Sequence, residues 1–565
     1  MSKKDKFIPK WRETAPTENT FRSIFKWGDP LGFKHPNSGL YEALKENFDL
    51  DDGDFSLMRS TGDDLVTISD NQRSKLEEVH LSHFKELLGS ENVSVDDYQR
   101  VFHSYGKTVE EAMELREGGS HDLVDVVLHP RDNTDVEQIV QYCDVNRIPI
   151  IPFGAGSSVN LGVSAPKGGV SLVLKTHMNK VLEINEINKS ATVQAGISGP
   201  EYEDALNHAK ERFGTSKNFT NGHFPQSFEF SSVGGWIVTC GAGQESSYYG
   251  DAIDLVISQS WITPRGSFKT EKFVASATGP KINDIMKGNE GSYGVLVEAT
   301  LKIYHHTPET KKPFSFMFPS WEEAKAAVRE ISQGEFGMPG VLRLSDPEET
   351  SIGMKLYHIE GTVLDTAIKL LGYKDGERCL FIARTNGEKG FSKHVRRRAK
   401  KICRSHKGLS LTGYAVKKWD EGRYRDPYLR EDLGDYGIVI DTLETSVNWD
   451  DLENIYSEVR SFVKKREKTI CMTHASHMYQ QGTNLYFIFC ADFKTREEYK
   501  EFQRGVINAI CESGGSLSHH HGVGKMIGPW MERYHGSERM DIIRMLKEHF
   551  DPNHIMNPGG QMGLD

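Results

Sequence analysis

The stretch from Asp125 to Ser158 constrains the fold more than any other part of the chain. "DVVLHP" (125–130) is a short apolar run stopped by Pro130, as a strand would be. Thr134 and Glu137 stand at capping-box spacing, which predicts a helix beginning there. Val136, Ile139, Val140 and Cys143 then recur on one helical face. "IPIIPFG" (148–154) is a second apolar run, ending in glycine. Strand, helix and strand together take about 30 residues, the length a parallel crossover needs. "VSLVLKT", "VLEI" and "SATVQAG" follow as further strands, so a glycine-rich α/β domain is predicted to about residue 305.

A chain of 565 residues has room for two to four domains. Residues 1–115 are polar, with charged helical stretches such as Gln72–Leu88, and are read as an N-terminal helical extension. Residues 116–305 form the glycine-rich domain. Residues 306–510 alternate helices with longer strands. Ser320-Trp-Glu-Glu323 and Thr495-Arg-Glu-Glu498 open helices there, and "VLRLSD", "YGIVIDTLETSV" and "TNLYFIFCADF" are strands of a second, antiparallel sheet. Residues 511–565 are a C-terminal segment, and the class as a whole is α+β. The basic run Arg396–Lys401 falls in a helical stretch, either a solvated face or a patch for anionic lipid.

Sixty-nine basic against 80 acidic residues leave a net charge of −11, which argues against general nucleic-acid binding. Seven cysteines, an odd number with no Cys-x-x-Cys, are expected to be reduced thiols in a cytoplasm-like compartment. The basic opening "MSKKDKFIPKWRET" has no apolar core of a secretory signal, no run is long enough to span a bilayer, and Met-Gly-Leu-Asp is not a peroxisomal address. A cytoplasmic location is expected, with peripheral contact to a membrane left open.

Three stretches carry the chemistry. The first is Pro152, Phe153, Gly154, Ala155, Gly156, Ser157 and Ser158, where small residues after a strand let successive backbone N–H groups form a nest for phosphate oxygens. The P-loop pattern is missing. The second runs through Gln226, Ser227, Phe228, Glu229, Phe230, Ser231 and Ser232, and on to Val238, Thr239, Cys240 and Gly241. The third is Glu290, Gly291, Ser292, Tyr293, Gly294, Val295 and Leu296. One such loop usually marks a turn. Three within about 150 residues suggest a long, phosphate-bearing ligand threaded through one domain.

These loops resemble the FAD-binding domain of the vanillyl-alcohol oxidase, or PCMH, family. Its Pro-x-Gly-Gly-Gly-Thr-Ser loop stands here as PFGAGSS, with Ala155 for a glycine, and its Glu-Gly-x-x-Gly-Val segment as Glu290 to Val295. The resemblance implies a two-subdomain FAD-binding domain under an α+β cap. It also implies FAD held without a covalent bond, because the first loop lacks the His or Cys that tethers it in some relatives. Within the family the likeness is strongest to the alkyldihydroxyacetonephosphate synthases, over roughly 120–560. "FEFSSVGGW", "VLRLSD", "DTLETSVNW" and "GGSLSHHHGVGK" carry it.

The last of these sets His519, His520 and His521 side by side. In an extended segment His519 and His521 would face one way and His520 the other, and Gly522 and Gly524 would allow a bend. Imidazoles there suit proton transfer and anion contact near neutral pH. A hydrogen-bonded structural cluster is the alternative. Related D-2-hydroxy-acid dehydrogenases carry His-Glu-His-Gly and a Gly-Asp-Gly-Asn-x-His metal segment. Here that segment reads Gln481-Gly-Thr-Asn-Leu-Tyr486, so no metal is expected. The resemblance further assigns proton transfer to Tyr479, substrate phosphate to Arg430 in "YLRED", and an arginine needed for activity to Arg343. The alternative for Arg430 is a salt bridge with Glu431 or Asp432. The chain departs from the pattern where His474 replaces an arginine, and where the Lys-Trp-x-Gly-Trp-Gly opening is reduced to Lys26-Trp27-Gly28.

The implied activity is exchange of the acyl group of an acyl-dihydroxyacetone phosphate for a long-chain alcohol, an ether-lipid step with no net redox change. The rival is an FAD-linked oxidase or dehydrogenase of a D-2-hydroxy acid. The expected partners are small lipid substrates and no nucleic acid, with a homodimer left open.

Overall fold

The structure, a computed structural model, describes residues 7–564. The first six residues of the basic opening and the final Asp565 lie outside the described residues. Strands β1 (Val93–Ser94), β2 (Val126–Leu128), β3 (Ile150–Phe153) and β4 (Val170–Val173) form a sheet in the order β1-β2-β4-β3. β2, β4 and β3 are parallel, as the crossover spacing requires, and β1 is an antiparallel edge. The crossover helix is Asn133–Asn146, with Val136, Ile139, Val140 and Cys143 on its buried face. Its N-cap is Asp132 and not Thr134: the Asp132 carboxylate accepts from the N–H groups of both Thr134 and Asp135, which a Thr hydroxyl two residues later cannot do.

Next come β5 (Val181–Asn185), β6 (Ser190–Gln194), β7 (Phe219–Thr220), β8 (Val256–Thr263), β9 (Gly266–Lys269), β10 (Val295–Lys302) and β11 (Tyr304–His305). β5-β6-β10-β8-β9 make an antiparallel sheet, and β7 pairs separately with β11. One apolar core, including Leu128, Ile150, Leu172, Val193, Trp261 and Leu301, joins the first two sheets.

β12 (Lys312–Phe318), β13 (Val341–Ser345), β14 (Cys379–Thr385), β15 (Leu409–Leu411), β16 (Ile438–Asn448), β17 (Ile470–Ser476) and β18 (Gly482–Asp492) form a seven-stranded antiparallel sheet in the order β15-β12-β14-β13-β17-β18-β16. Side chains alternate across it. Phe314, Phe316, Phe318, Phe381, Leu485, Phe487 and Phe489 share a buried core with the helices Trp321–Ser332, Leu452–Lys465 and Arg496–Glu512. The basic run lies on helix Lys389–Ser405, whose buried residues are Ser392, Val395, Ala399, Ile402 and Cys403.

The first hundred residues are built into the body of the molecule. β1 completes the first sheet. Arg22 grips Asp435 through two hydrogen bonds of 2.8 Å, and Leu40, Leu44 and Phe48 pack with Leu433, Ile438 and Ile470. A two-residue strand has no readable period, and pairs four hundred positions apart leave no local pattern, so neither contact shows in the sequence. Phe487 is fully buried. Phe487→Ala is expected to lower stability by about 3–5 kcal/mol, read from urea unfolding.

Candidate active site

The second face of the cap sheet borders a cavity of about 560 Å³ that also reaches the three glycine loops. Strand register arranges this face in rows. Ile440, Cys490 and Ile470 stand abreast, then Thr442, Ile488 and Met472, then Glu444, Tyr486 and His474, then Ser446, Asn484 and Ser476. The four rows span six residues, about 20 Å. They pass from apolar to polar toward the histidine triplet. Leu40, Leu44, Leu356 and Leu429 also line the cavity and cluster with Ile440, Ile470, Cys490 and Met472 of the first two rows.

Two buried carboxylates hold the triplet. Glu444 Oε1 accepts from the backbone N–H groups of His519, His520 and His521 at 3.0, 3.1 and 3.2 Å, and from Ser518 Oγ at 3.0 Å. Asn484 Nδ2 donates to Glu444 Oε2 at 2.7 Å. Three consecutive N–H groups converging on one oxygen bend the triplet around a carboxylate, so the extended alternation does not apply and the bend that Gly522 and Gly524 allow is the one present. Burial pushes the Glu444 carboxyl up, but His521, His519 and these N–H groups outweigh it and hold it below its ordinary value. From the other side, Glu290 accepts from the N–H groups of Val523 and Gly524 at 2.7 and 2.8 Å, and Asn160 Nδ2 donates to His521 O at 2.9 Å. The glycines are required here. A Cβ on Gly522 would fall 2.2 Å from Glu290 Oε1, one on Gly524 2.0 Å from Asn160 O, and both residues have positive φ.

The side chains form two chains of contact. Tyr479 Oη donates to Asp251 at 2.8 Å and lies 2.6 Å from His519 Nε2, and His519 Nδ1 lies 2.9 Å from His520 Nδ1. Separately, Tyr486 Oη lies 2.6 Å from His521 Nε2. His520, His521 and Tyr486 line the cavity, with Tyr479 and His519 standing behind them. His477, at φ +50° in the left-handed region, meets Ser246 Oγ at 2.8 Å. Burial, reinforced by the neighbouring imidazoles, pushes His520 and His477 well below their ordinary values, so both rings are neutral. Burial and the Asp251 carboxylate raise the Tyr479 hydroxyl. Glu444, His519 and His520 each bring one possible metal ligand atom within 4.8 Å of the others, but both Glu444 oxygens already accept protein hydrogen bonds.

Arg343 lines the cavity and meets Glu349 at 2.7 Å; the same Glu349 oxygen lies 3.0 Å from His474 Nδ1. Burial pushes the Glu349 carboxyl up, but Arg343 and His474 hold it well below its ordinary value. Arg430 also lines the cavity, and its guanidinium lies over the Trp27 ring at 5.7 Å.

Of the glycine-loop residues, Pro152 through Ser158, Gln226, Ser227, Ser231, Ser232, Val238, Thr239, Gly241, Glu290, Gly291, Gly294 and Leu296 border the cavity. The others point elsewhere. Phe228 stacks toward Tyr424, Phe230 meets Trp27 and Tyr293 stacks on Phe550. Val295 is buried in β10, and Glu229, Cys240 and Ser292 do not border the cavity. Within the described residues the N–H groups of Ala155, Gly156, Ser157 and Ser158 make no hydrogen bond to the protein. Two cavity-lining amides, Gln226 Nε2 and Gln244 Oε1, are buried without a partner. Gln244 Nε2 donates to Gln226 Oε1 at 3.2 Å, so each amide keeps one unpartnered atom. Free N–H groups in a loop without bulky side chains, with unpartnered amide atoms on the same cavity wall, suit a ligand with phosphates at one end and ring heteroatoms at the other.

Sequence reasoning missed Glu444, Tyr486, His477, Asp251 and Asn160. The one local signal was Glu444, one of two acids, with Asp441, on a strand that carries Ile438, Val439, Ile440, Leu443 and Val447. The others are ordinary residue types that only the fold brings together.

Residues 124–270 match the FAD binding domain family, and residues 307–560 match the C-terminal domain of FAD linked oxidases. A solved alkyldihydroxyacetonephosphate synthase superposes with a TM-score of 0.78 at 25% identity, covering 95% of this chain and 99% of that one. These matches define the class: a flavoprotein with a PCMH-type FAD-binding domain, an α+β cap and FAD as its cofactor. The alkyldihydroxyacetonephosphate synthase of Dictyostelium discoideum is 32% identical over 82% of this chain and 77% of its own length, and that of Caenorhabditis elegans 30% over 81% and 79%. The chain belongs to the alkyldihydroxyacetonephosphate synthase family.

The folded-state Glu444 carboxyl lies below its unfolded value, so its stabilisation is complete above about pH 4.3 and is lost as pH falls through the lower folded value. Glu444→Gln is expected to be less stable than the parent at neutral pH and to lose less on acidification, measured by urea midpoints across pH. Gly524→Ala is expected to cost about 1–3 kcal/mol and to depress turnover, because the triplet must shift away from Asn160.

Proposed function

We propose that this enzyme exchanges the acyl group of an acyl-dihydroxyacetone phosphate for a long-chain alcohol, forming an ether bond with no net redox change. The observation that carries this reading is the graded cavity wall, apolar over its first two rows but for Thr442, and bearing Tyr486 and His474 beside His520 and His521 further on. A substrate with a phosphate head and a long chain has the same gradient. Burial of the chain contributes about 0.8 kcal/mol per methylene, so several turns of hydrocarbon outweigh the cost of ordering it.

FAD, held without a covalent bond, supplies the electron-accepting ring. The chain's own residues do the rest. Arg430 offers a planar fork to the phosphate, and Arg343, held by Glu349, adds positive charge nearby. His520 is neutral and turns its Nδ1 to His519, which leaves Nε2 as the base for the proton at the reacting carbon. One consistent set of donors runs outward: His520 Nδ1–H to His519 Nδ1, His519 Nε2–H to Tyr479 Oη, and Tyr479 O–H to Asp251. Tyr479 thus joins the proton path through His519. Tyr486 and His521 form a second hydroxyl–imidazole pair facing the substrate.

A lipid surface is the source of both long-chain substrates in this reading. Tyr357, Tyr414 and Lys418 line the cavity, and Tyr357 and Tyr414 are themselves exposed. Val363, Leu364, Leu370 and Leu371 are exposed on and just after helix Val363–Leu370. This is the face proposed to meet the membrane. No helix among the described residues is long and apolar enough to cross one.

The test is anaerobic incubation with palmitoyl-dihydroxyacetone phosphate and labelled hexadecanol. Labelled ether lipid phosphate is expected; bleaching of the flavin by D-lactate or glycolate would instead assign a hydroxy-acid dehydrogenase. Tyr479→Phe is expected to keep the flavin spectrum and lose about 10²–10⁴-fold in turnover. Full activity in that variant removes Tyr479 from the path.

A further inference from the structure

Arg430 is flanked in sequence by two acids, Glu431 and Asp432. Among the described residues neither acid pairs with it: neighbours one and two apart on a helix face different ways, and the N-terminal segment holds both. Glu431, 4% exposed, accepts from Lys26 Nζ at 2.9 Å and from the backbone N–H of Trp27. Asp432, 2% exposed, accepts from the N–H of Lys34 at 2.9 Å, and His35 Nδ1 lies 2.8 Å from it. Lys26 is itself fixed: it donates to Gly32 O at 2.5 Å and sits 4.4 Å from the ring of Phe33 and 4.8 Å from that of Tyr428. The Arg430 guanidinium lies instead over Trp27, which packs edge-on against Phe230 at 4.4 Å, and both Arg430 and Trp27 line the cavity.

We propose that Lys26 is a positioning residue for anion recognition: by holding Glu431 it keeps that carboxylate from Arg430 and reserves the guanidinium for a phosphate monoester. The inference rests on the reading of the cavity given above. A buried carboxylate needs a cation. Without Lys26, the nearby candidates are few. Lys107 is committed to the carbonyls of Ile24 and Lys26, and Arg22 and Arg116 are committed to Asp435. Arg430 is left: it is next to Glu431 on helix Asp426–Gly434 but about 100° round from it, so capture requires its long side chain to swing off the Trp27 ring toward the carboxylate. An arginine paired with its neighbour has no fork to offer a phosphate.

The experiment is calorimetric titration of the FAD-loaded protein with glycerol 3-phosphate, and with glycerol as the uncharged control. Lys26→Met is expected to weaken glycerol 3-phosphate binding about tenfold or more and leave glycerol unaffected. Adding Glu431→Gln removes the carboxylate that would capture Arg430, so Lys26→Met/Glu431→Gln is expected to recover to within about threefold of the parent. If Lys26 were only structural, the double variant would be no better than the single one. Parental affinity in Lys26→Met, or no recovery in the double variant, overturns the proposal. If Lys26→Met does not fold, the double variant decides alone: recovered affinity supports the proposal and a loss of about tenfold overturns it. Arg430→Gln separates the two levels. Unchanged phosphate binding in that variant overturns the reading of the cavity itself. A loss there, beside an unaffected Lys26→Met, overturns only the role of Lys26.

Discussion

The site depends on one buried carboxylate, Glu444, facing three consecutive backbone N–H groups. Three donors on one oxygen force the His519–His521 backbone into a turn, which points the imidazoles along different directions. The His519 ring goes to Tyr479, the His521 ring to Tyr486, and His520 stands between them with its Nδ1 on His519. Glu290 does the same work from the FAD-binding side, on the N–H groups that follow. The triplet is thereby suspended between two carboxylates from two different parts of the chain, and Gly522 and Gly524 are small enough to let Glu290 and Asn160 approach. Each carboxylate is buried, so neither charge is tolerable without its donors.

The cavity illustrates how a sheet divides its labour. Alternation gives one face to the helices and the other to the ligand. Along the ligand face, strand register lines up residues of like polarity from three strands, so a gradient written weakly in each strand becomes a graded wall. The polar end is wired by Glu349 between Arg343 and His474, and by the two hydroxyl–imidazole pairs. The N-terminal segment borders the cavity too: Trp27 stands between Arg430 and Phe230, and Leu40 packs with Ile470 and Cys490 of the apolar first row.

Much of the fold was legible because it is local. The crossover unit, the parallel strands around it, the capped helices at Ser320 and Thr495 and the long strands of the cap all follow from period, caps and glycine positions. The helix start at Asp132 was misplaced by two residues because a carboxylate outcompetes a hydroxyl for two N–H donors. The N-terminal stretch has the local pattern of an extension because its partners, Asp435, Glu431 and Asp432, lie some four hundred positions away. At the site, the residue types of the triplet and of the three loops stood out, whereas Tyr486, His477 and Asp251 are unremarkable in sequence. Gly522 and Gly524 allow a bend at the triplet, but nothing near it in the chain shows the carboxylate that makes it.

The sequence by itself determined the kinds of element, the flavin-type loops and the chemistry available in three imidazoles, two arginines and a tyrosine, because these are properties of residue type and short spacing. Only the tertiary structure decided which groups meet: which imidazoles face the cavity, which stand behind them, and which arginine is left unpaired. Those choices are set by buried charges finding partners across hundreds of residues, and the cost of leaving a buried charge unpaired is felt only once the chain has closed around it.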